Sequence, residues 1–121
     1  MKLLNKSKGT VLSHDAGIAG TFFSRARGLM LSTPADLVLV SPKEGIASSS
    51  IHMLFMRFPI DVLWLDSGMK VVDIRRNVPP ANPLKIGTLR IHKPGKPAKY
   101  VIELGRGEAG TTEIGDSIAI I

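Results

Sequence analysis

Apolar residues are densest between Ser48 and Asp66, in Ser-Ser-Ser-Ile-His-Met-Leu-Phe-Met-Arg-Phe-Pro-Ile-Asp-Val-Leu-Trp-Leu-Asp. This run does not alternate cleanly, so periodicity alone separates neither helix nor strand. Pro59 excludes one continuous helix, because its ring clashes with the preceding turn and its nitrogen carries no hydrogen. The isoleucine, valine, phenylalanine and tryptophan around it favour strand. Two strand segments are predicted, 51–57 and 60–65, meeting at a bend or bulge at Phe58-Pro59. Without alternation both faces of these strands must be covered, as in a sandwich or small barrel.

The flanking pattern predicts further short strands. Lys2–Leu4 and Thr10–Ser13 read as a hairpin across the polar Asn5–Gly9 loop. Phe22, Phe23, Ala26 and Met30 recur at helical spacing, with Thr21 as N-cap and Gly28 as stop, which predicts one short helix near the N-terminus. Leu37–Val40 is a strand, Ser41–Gly45 a turn, and Asp66-Ser67-Gly68 a turn into a strand over Val71–Ile74. Pro79, Pro80 and Pro83 make Arg75–Pro83 an exposed loop, and Leu84–Ile91 is a weak strand or part of that loop. Lys93–Pro97 turns the chain into a strand at Tyr100–Leu104; Glu108–Thr112 is a polar connection, and Gly115-Asp116 leads to a closing strand over Ser117–Ile121.

The polar residues inside the apolar stretch are the informative ones, because a charge among apolar neighbours must be paired or face a cavity. On a straight strand Arg57 and Asp61 stand about 13 Å apart, so they pair only if the Pro59 bend folds them together. Two readings stay open: Asp61 accepts backbone N–H groups at the bend and His52 is a satisfied core histidine, or both belong to a ligand site. Asp61 is expected to be buried and hydrogen-bonded, and Asp66, which ends the same strand, exposed.

Composition narrows the class. A chain of 121 residues, 44% hydrophobic and 21% charged, fits a single domain, 1–121. The longest apolar run is interrupted by Arg57 and Asp61, so no membrane helix is expected. Met1–Leu4 begins like a signal peptide, but Asn5–Lys8 ends the apolar segment, and a cytoplasmic location is expected. The chain has no cysteine, which excludes disulfides, thiolate zinc sites, iron–sulfur clusters and cysteine nucleophiles. It also lacks glutamine and has only Asn5, Asn77 and Asn82, a thermophile trend. The net charge is +6, and it is unevenly placed. Between Lys70 and Arg106 nine basic residues face only Asp73 and Glu103, so this segment carries +7 and the remainder −1. Such a segment attracts nucleic acid or anions weakly, or is simply a solvated lysine-rich surface.

Little in the chain frames a reaction. No Gly-x-Ser-x-Gly elbow presents a serine. His14, His52 and His92 lack close second ligands, so no metal is expected, and no cofactor is called for. Gly105-Arg106-Gly107 lacks the spacing of a phosphate-binding loop. Asp61 and Glu103 are candidates for the paired carboxylates of a sugar hydrolase.

Four pieces in order, Arg25–Met30, Ile51-His52-Met53 with Pro59–Val62, Tyr100–Leu104, and Gly115-Asp116 with Ile118, resemble the family catalogued as domain of unknown function 192. The resemblance spans most of the chain. It implies a mainly β fold, an antiparallel β-sandwich or barrel of jelly-roll character with one short helix, found in archaea and bacteria, and no established reaction. Arg27, Gly28, Met53, Pro59, Asp61 and Glu103 are the positions it carries over. Relatives often have tryptophan where this chain has His52, so no role for that histidine carries over. Many bacterial relatives look secreted, and that location does not carry over either.

The reading is a non-catalytic binding module for a small polar or anionic ligand or a protein partner, using Arg25, Arg27, His52, Asp61 and Glu103. Guanidinium groups suit carboxylates and phosphates by bidentate bonding. The alternative is an acid–base hydrolase with Asp61 or Glu103 as base and an arginine stabilising negative charge. Weak nucleic-acid binding through the 70–106 surface is the third. Oligomeric state is left open.

Overall fold

A computed structural model describes residues 1–19, 35–52, 58–80 and 91–121. The protein is mainly β. The strands are β1 (Leu3–Asn5), β2 (Thr10–Ser13), β3 (Ala16–Ala19), β4 (Asp36–Gly45), β5 (Ile51–His52), β6 (Ile60–Leu65), β7 (Val71–Val78), β8 (Ile91–His92), β9 (Ala98–Leu104) and β10 (Ile118–Ile120), with one 3-10 turn at Ala47–Ser49. They form a three-stranded sheet in the order β10-β1-β2, a five-stranded sheet in the order β3-β4-β9-β6-β7, and the β5-β8 pair. The helix expected between Thr21 and Met30 lies outside the described residues.

The five-stranded sheet organises the rest. Its central strands include β9 and β6; β6 belongs to the apolar run that does not alternate, and the sheet is covered on both faces as that pattern requires. One face carries Leu39, Val62, Trp64 and Val101, joined by Ile51 from β5. The other carries Val38, Leu63, Leu65, Ile102 and Leu104, joined by Leu3, Leu12 and Ile118 from the three-stranded sheet. Trp64 is fully buried, and its indole Nε1 donates to the Ser49 carbonyl at 2.8 Å, so its one polar atom is satisfied.

Three departures from the expected pattern have physical causes. The sheet is mixed rather than antiparallel: β3 runs parallel to β4, from Ala16 opposite Asp36 to Ala19 opposite Leu39. Parallel pairing needs a dozen or more residues between the two strands, and sixteen separate Ala19 from Asp36. Strand β4 runs on through the expected Ser41–Gly45 turn, its pairing to β9 breaking between Val40 and Gly45, where Pro42 has no hydrogen to give the ladder. Strand β7 continues to Val78 instead of yielding to a loop at Arg75. Its partner β6 holds it through Ile60 opposite Val78 and Val62 opposite Arg75.

Candidate functional site

The register of the central sheet places three acidic side chains. Asp36 on β4 and Asp61 on β6 both pair with Leu104 on β9, so Asp36, Leu104 and Asp61 share one face. Because successive strand residues alternate faces, Glu103 lies on the opposite face, in a row running Leu37, Glu103, Val62 and Arg75.

Asp61 is half-buried. Its Oδ1 accepts the Asn77 amide at 2.8 Å and its Oδ2 the Ala109 amide at 2.8 Å. The first of these bonds closes an irregularity of β7, since the pairing shifts between Ile60 and Val62 and Asn77 takes φ 52°. A carboxylate at such a bulge satisfies an amide that the ladder cannot. Asp61 therefore has the backbone partners expected of it, but it is less buried than expected. Asp66 is half-buried rather than exposed, because its Oδ1 accepts the Gly68 and Lys70 amides within its own turn.

Asp36 is buried. Its Oδ1 accepts the amides of Arg106 and Gly107 at 2.7 and 2.9 Å, and its Oδ2 accepts the Ser13 hydroxyl at 2.5 Å. The Gly105-Arg106-Gly107 stretch is thus bound to the sheet by a protein carboxylate. Its glycines are there for close approach: a Cβ on Gly107 would stand 2.0 Å from the Leu12 carbonyl oxygen, and one on Gly105 2.6 Å from that of Ala35. Sequence reasoning missed Asp36 and Ser13. The available signal was a lone carboxylate heading the apolar run Leu37–Val40.

Glu103 is 6% exposed. Burial pushes its carboxyl up to about 8, so at neutral pH it is mainly the neutral acid, with one O–H to donate. Among the described residues none pairs with it or donates to it. The sheet faces separate it from Asp61, so these two acids cannot flank one glycosidic bond as paired carboxylates must. The register thus sets these two candidate residues on opposite faces of the sheet.

Arg25 and Arg27 lie outside the described residues, as do Gly28 and Met53. His52 is placed by its backbone on β5, opposite Ile91 of β8. Of the basic segment, Arg75 donates to the Lys93 carbonyl, Arg76 to those of Gly110 and Thr112, and Lys99 to that of Ser41. Among the described residues no three His, Asp or Glu side chains are grouped as a metal would require, and no helix is long and apolar enough to cross a membrane.

Together these features define a β protein with a mixed central sheet, one face tied to a glycine-containing loop by two aspartates and the other holding a buried glutamic acid. The chain belongs to the DUF192 family, described as Uncharacterized ACR, COG1430, whose model matches residues 3–120. It is similar to a UPF0127 protein of Thermococcus sibiricus, 42% identical over 96% of this chain and 72% of that protein. A UPF0127 protein of Thermococcus kodakarensis is 39% identical over 97% of this chain and 71% of its own length. These archaeal relatives agree with the thermophile trend in composition. A solved structure of a protein of unknown function from Novosphingobium aromaticivorans shares the fold, with a TM-score of 0.78 at 18% identity over 98% of this chain and 82% of that one.

Proposed function

We propose that this protein is a non-catalytic binding module whose ligand, a small polar or anionic molecule, sits against the Glu103 face of the central sheet. The observation that carries the reading is the burial of an acid, beside Leu37 and Val62, for which no described residue supplies a partner. A buried carboxyl without a partner costs stability, and a ligand that accepts from its O–H recovers part of that cost. Arg25, Arg27 and His52 belong to the same proposal as charge and hydrogen-bond donors. Asp61 contributes indirectly, by holding the Asn77 bulge beside Arg75. The same reading takes the three- and five-stranded sheets as a sandwich of jelly-roll character, supported by the cluster that Leu3, Leu12 and Ile118 share with Leu63 and Ile102. It sets the cysteine-free chain in the cytoplasm.

The test is a thermal-shift screen of sugars, nucleotides, organic acids and anions on the parent, Glu103→Gln and Arg27→Ala. A ligand that binds only the folded state raises the melting temperature by mass action. Loss of that rise in both variants supports the site; a rise that both retain at equal strength removes it. A ligand consumed over time would turn the reading toward an enzyme, since turnover requires more than recognition. A second reading, nucleic-acid binding, is favoured only by the exposed Arg75, Arg76, Lys93, Lys96 and Arg106.

A further inference from the structure

Strand β7 forms one edge of the five-stranded sheet, and its last residues border a cavity of about 440 Å³ whose wall includes Arg75, Arg76, Asn77, Pro79 and His92. We propose that this cavity is a binding site for a small oxyanion, a phosphate- or carboxylate-bearing molecule. This goes beyond the Glu103 reading and does not depend on it.

Among the described residues the wall contains two arginines and no aspartate or glutamate. Both guanidinium groups are fixed in place, but by neutral acceptors. Arg75 Nη2 donates to the Lys93 carbonyl at 3.1 Å. Arg76 Nη2 donates to the carbonyls of Thr112 at 2.6 Å and Gly110 at 3.2 Å. A carbonyl holds a guanidinium without cancelling its charge, and each group has five N–H donors, so most remain available. The carboxylates nearest in sequence and register are already engaged. Asp73 accepts the Ile74 and Gly95 amides, each at 2.8 Å, and Asp61 accepts those of Asn77 and Ala109. Among the described residues neither forms an ion pair with an arginine.

The local backbone helps to aim these donors. The pairing shift between Ile60 and Val62 and the φ of 52° at Asn77 mark a bulge at the cavity wall, and bulges redirect neighbouring side chains. His92 is buried and Pro79 is a rigid part of the wall, so the cavity has fixed sides.

The experiment uses the full chain with inorganic phosphate and citrate as probes, at ionic strength held constant with potassium chloride so that screening does not change. Binding is read by phosphorus-31 line broadening for phosphate and by calorimetry for citrate, both on folded protein, so loss of stability in a variant is not mistaken for loss of binding. Saturable binding to the parent is expected. It should weaken about tenfold or more in Arg75→Gln and in Arg76→Gln, because each loses charge-assisted hydrogen bonds. Lys96→Gln should bind as the parent does. No saturable binding to the parent, equal binding by the arginine variants, or an equal loss in Lys96→Gln would each overturn the site. An oligonucleotide that binds through Arg75 while phosphate and citrate do not compete would overturn the small-anion assignment as well.

Discussion

Asp36 and Asp61 stand on either side of Leu104 on one face of the central sheet, and between them they accept the amides of Arg106, Gly107 and Ala109. Two neighbouring strands thereby hold one loop. Asp61→Ala strands two amides and should lower stability by about 1 to 3 kcal/mol. Asp36→Ala, which also releases the Ser13 hydroxyl, should cost more. Asp61→Asn keeps one carbonyl acceptor and should fall between Asp61→Ala and the parent. Since both aspartates act on one loop, the double variant should differ from the sum of the singles by about 0.5 kcal/mol or more. Urea titrations of the four proteins measure this, and an unchanged midpoint in Asp61→Ala would refute the anchoring role.

Glu103 makes stability fall as pH rises. Its carboxyl moves from 4.5 to about 8 on folding, so between those values the folded state binds more protons than the unfolded one, and the slope is negative. The penalty is absent below 4.5 and complete above about 8, with a slope of at most about 1.4 kcal/mol per pH unit in between. Glu103→Gln has no such proton to lose. Relative to the parent it should be progressively more stable as pH rises from about 4.5 to about 9, and urea midpoints across that range check it. A difference that stays flat with pH would show that Glu103 is not buried as a neutral acid.

The central sheet was legible in the sequence where residue chemistry is local. The apolar run at Ile60–Leu65 had to be a strand covered on both sides, Tyr100–Leu104 read as a strand, and the Asp66-Ser67-Gly68 turn announced itself. Pairing between distant segments was not legible. Nothing local says that Asp36 and Asp61 flank Leu104, or that Glu103 faces away from Asp61, because a one-residue change of register reverses every side chain. Strand β3 was missed for a related reason: Ala-Gly-Ile-Ala has weak strand preference and is held by its partner β4. Pro42 and the Pro79-Pro80 pair suggested breaks where tertiary pairing extends β4 and β7.

Asp116 should couple stability to acid in the opposite sense from Glu103. The Asn5 side-chain amide and the Glu113 backbone amide hold its carboxyl below 3.8, with Lys8 adding to them and burial opposing. A lowered value means a contribution fully present above 3.8 and lost as pH falls through the folded value. Asn5 donates to Asp116 and to Thr112, both at 3.0 Å. Asn5→Ala should therefore be clearly less stable than the parent at neutral pH, with the two curves converging in acid. Lys8→Met should show the same trend more weakly, since its ammonium lies 3.7 Å from Asp116. Thermal melts at a series of acidic pH values compare the three, and parallel curves would remove Asp116 from the account.

The basic segment should bind nucleic acid only at low salt. Affinity for a polyanion follows the number of phosphates neutralised, with log K falling by about 0.9 per contact for each decade of salt. Arg75, Arg76 and Lys99 are already directed at backbone carbonyls, which restricts how they can follow a phosphate backbone. Lys70, Lys93, Lys96 and Arg106 are exposed, but they are spread over two turns, a loop and a bridge rather than set along one helix or groove. No exposed aromatic on these stretches offers a base a stacking surface. A labelled duplex titrated at about 20 and about 150 mM salt should show weak, sequence-indifferent binding that vanishes at the higher salt, with a slope no steeper than about −3. A steeper slope would mean more phosphate contacts than these side chains supply, and binding that survives with a sequence preference would require base-reading groups. Either result would put nucleic-acid recognition ahead of small-ligand binding.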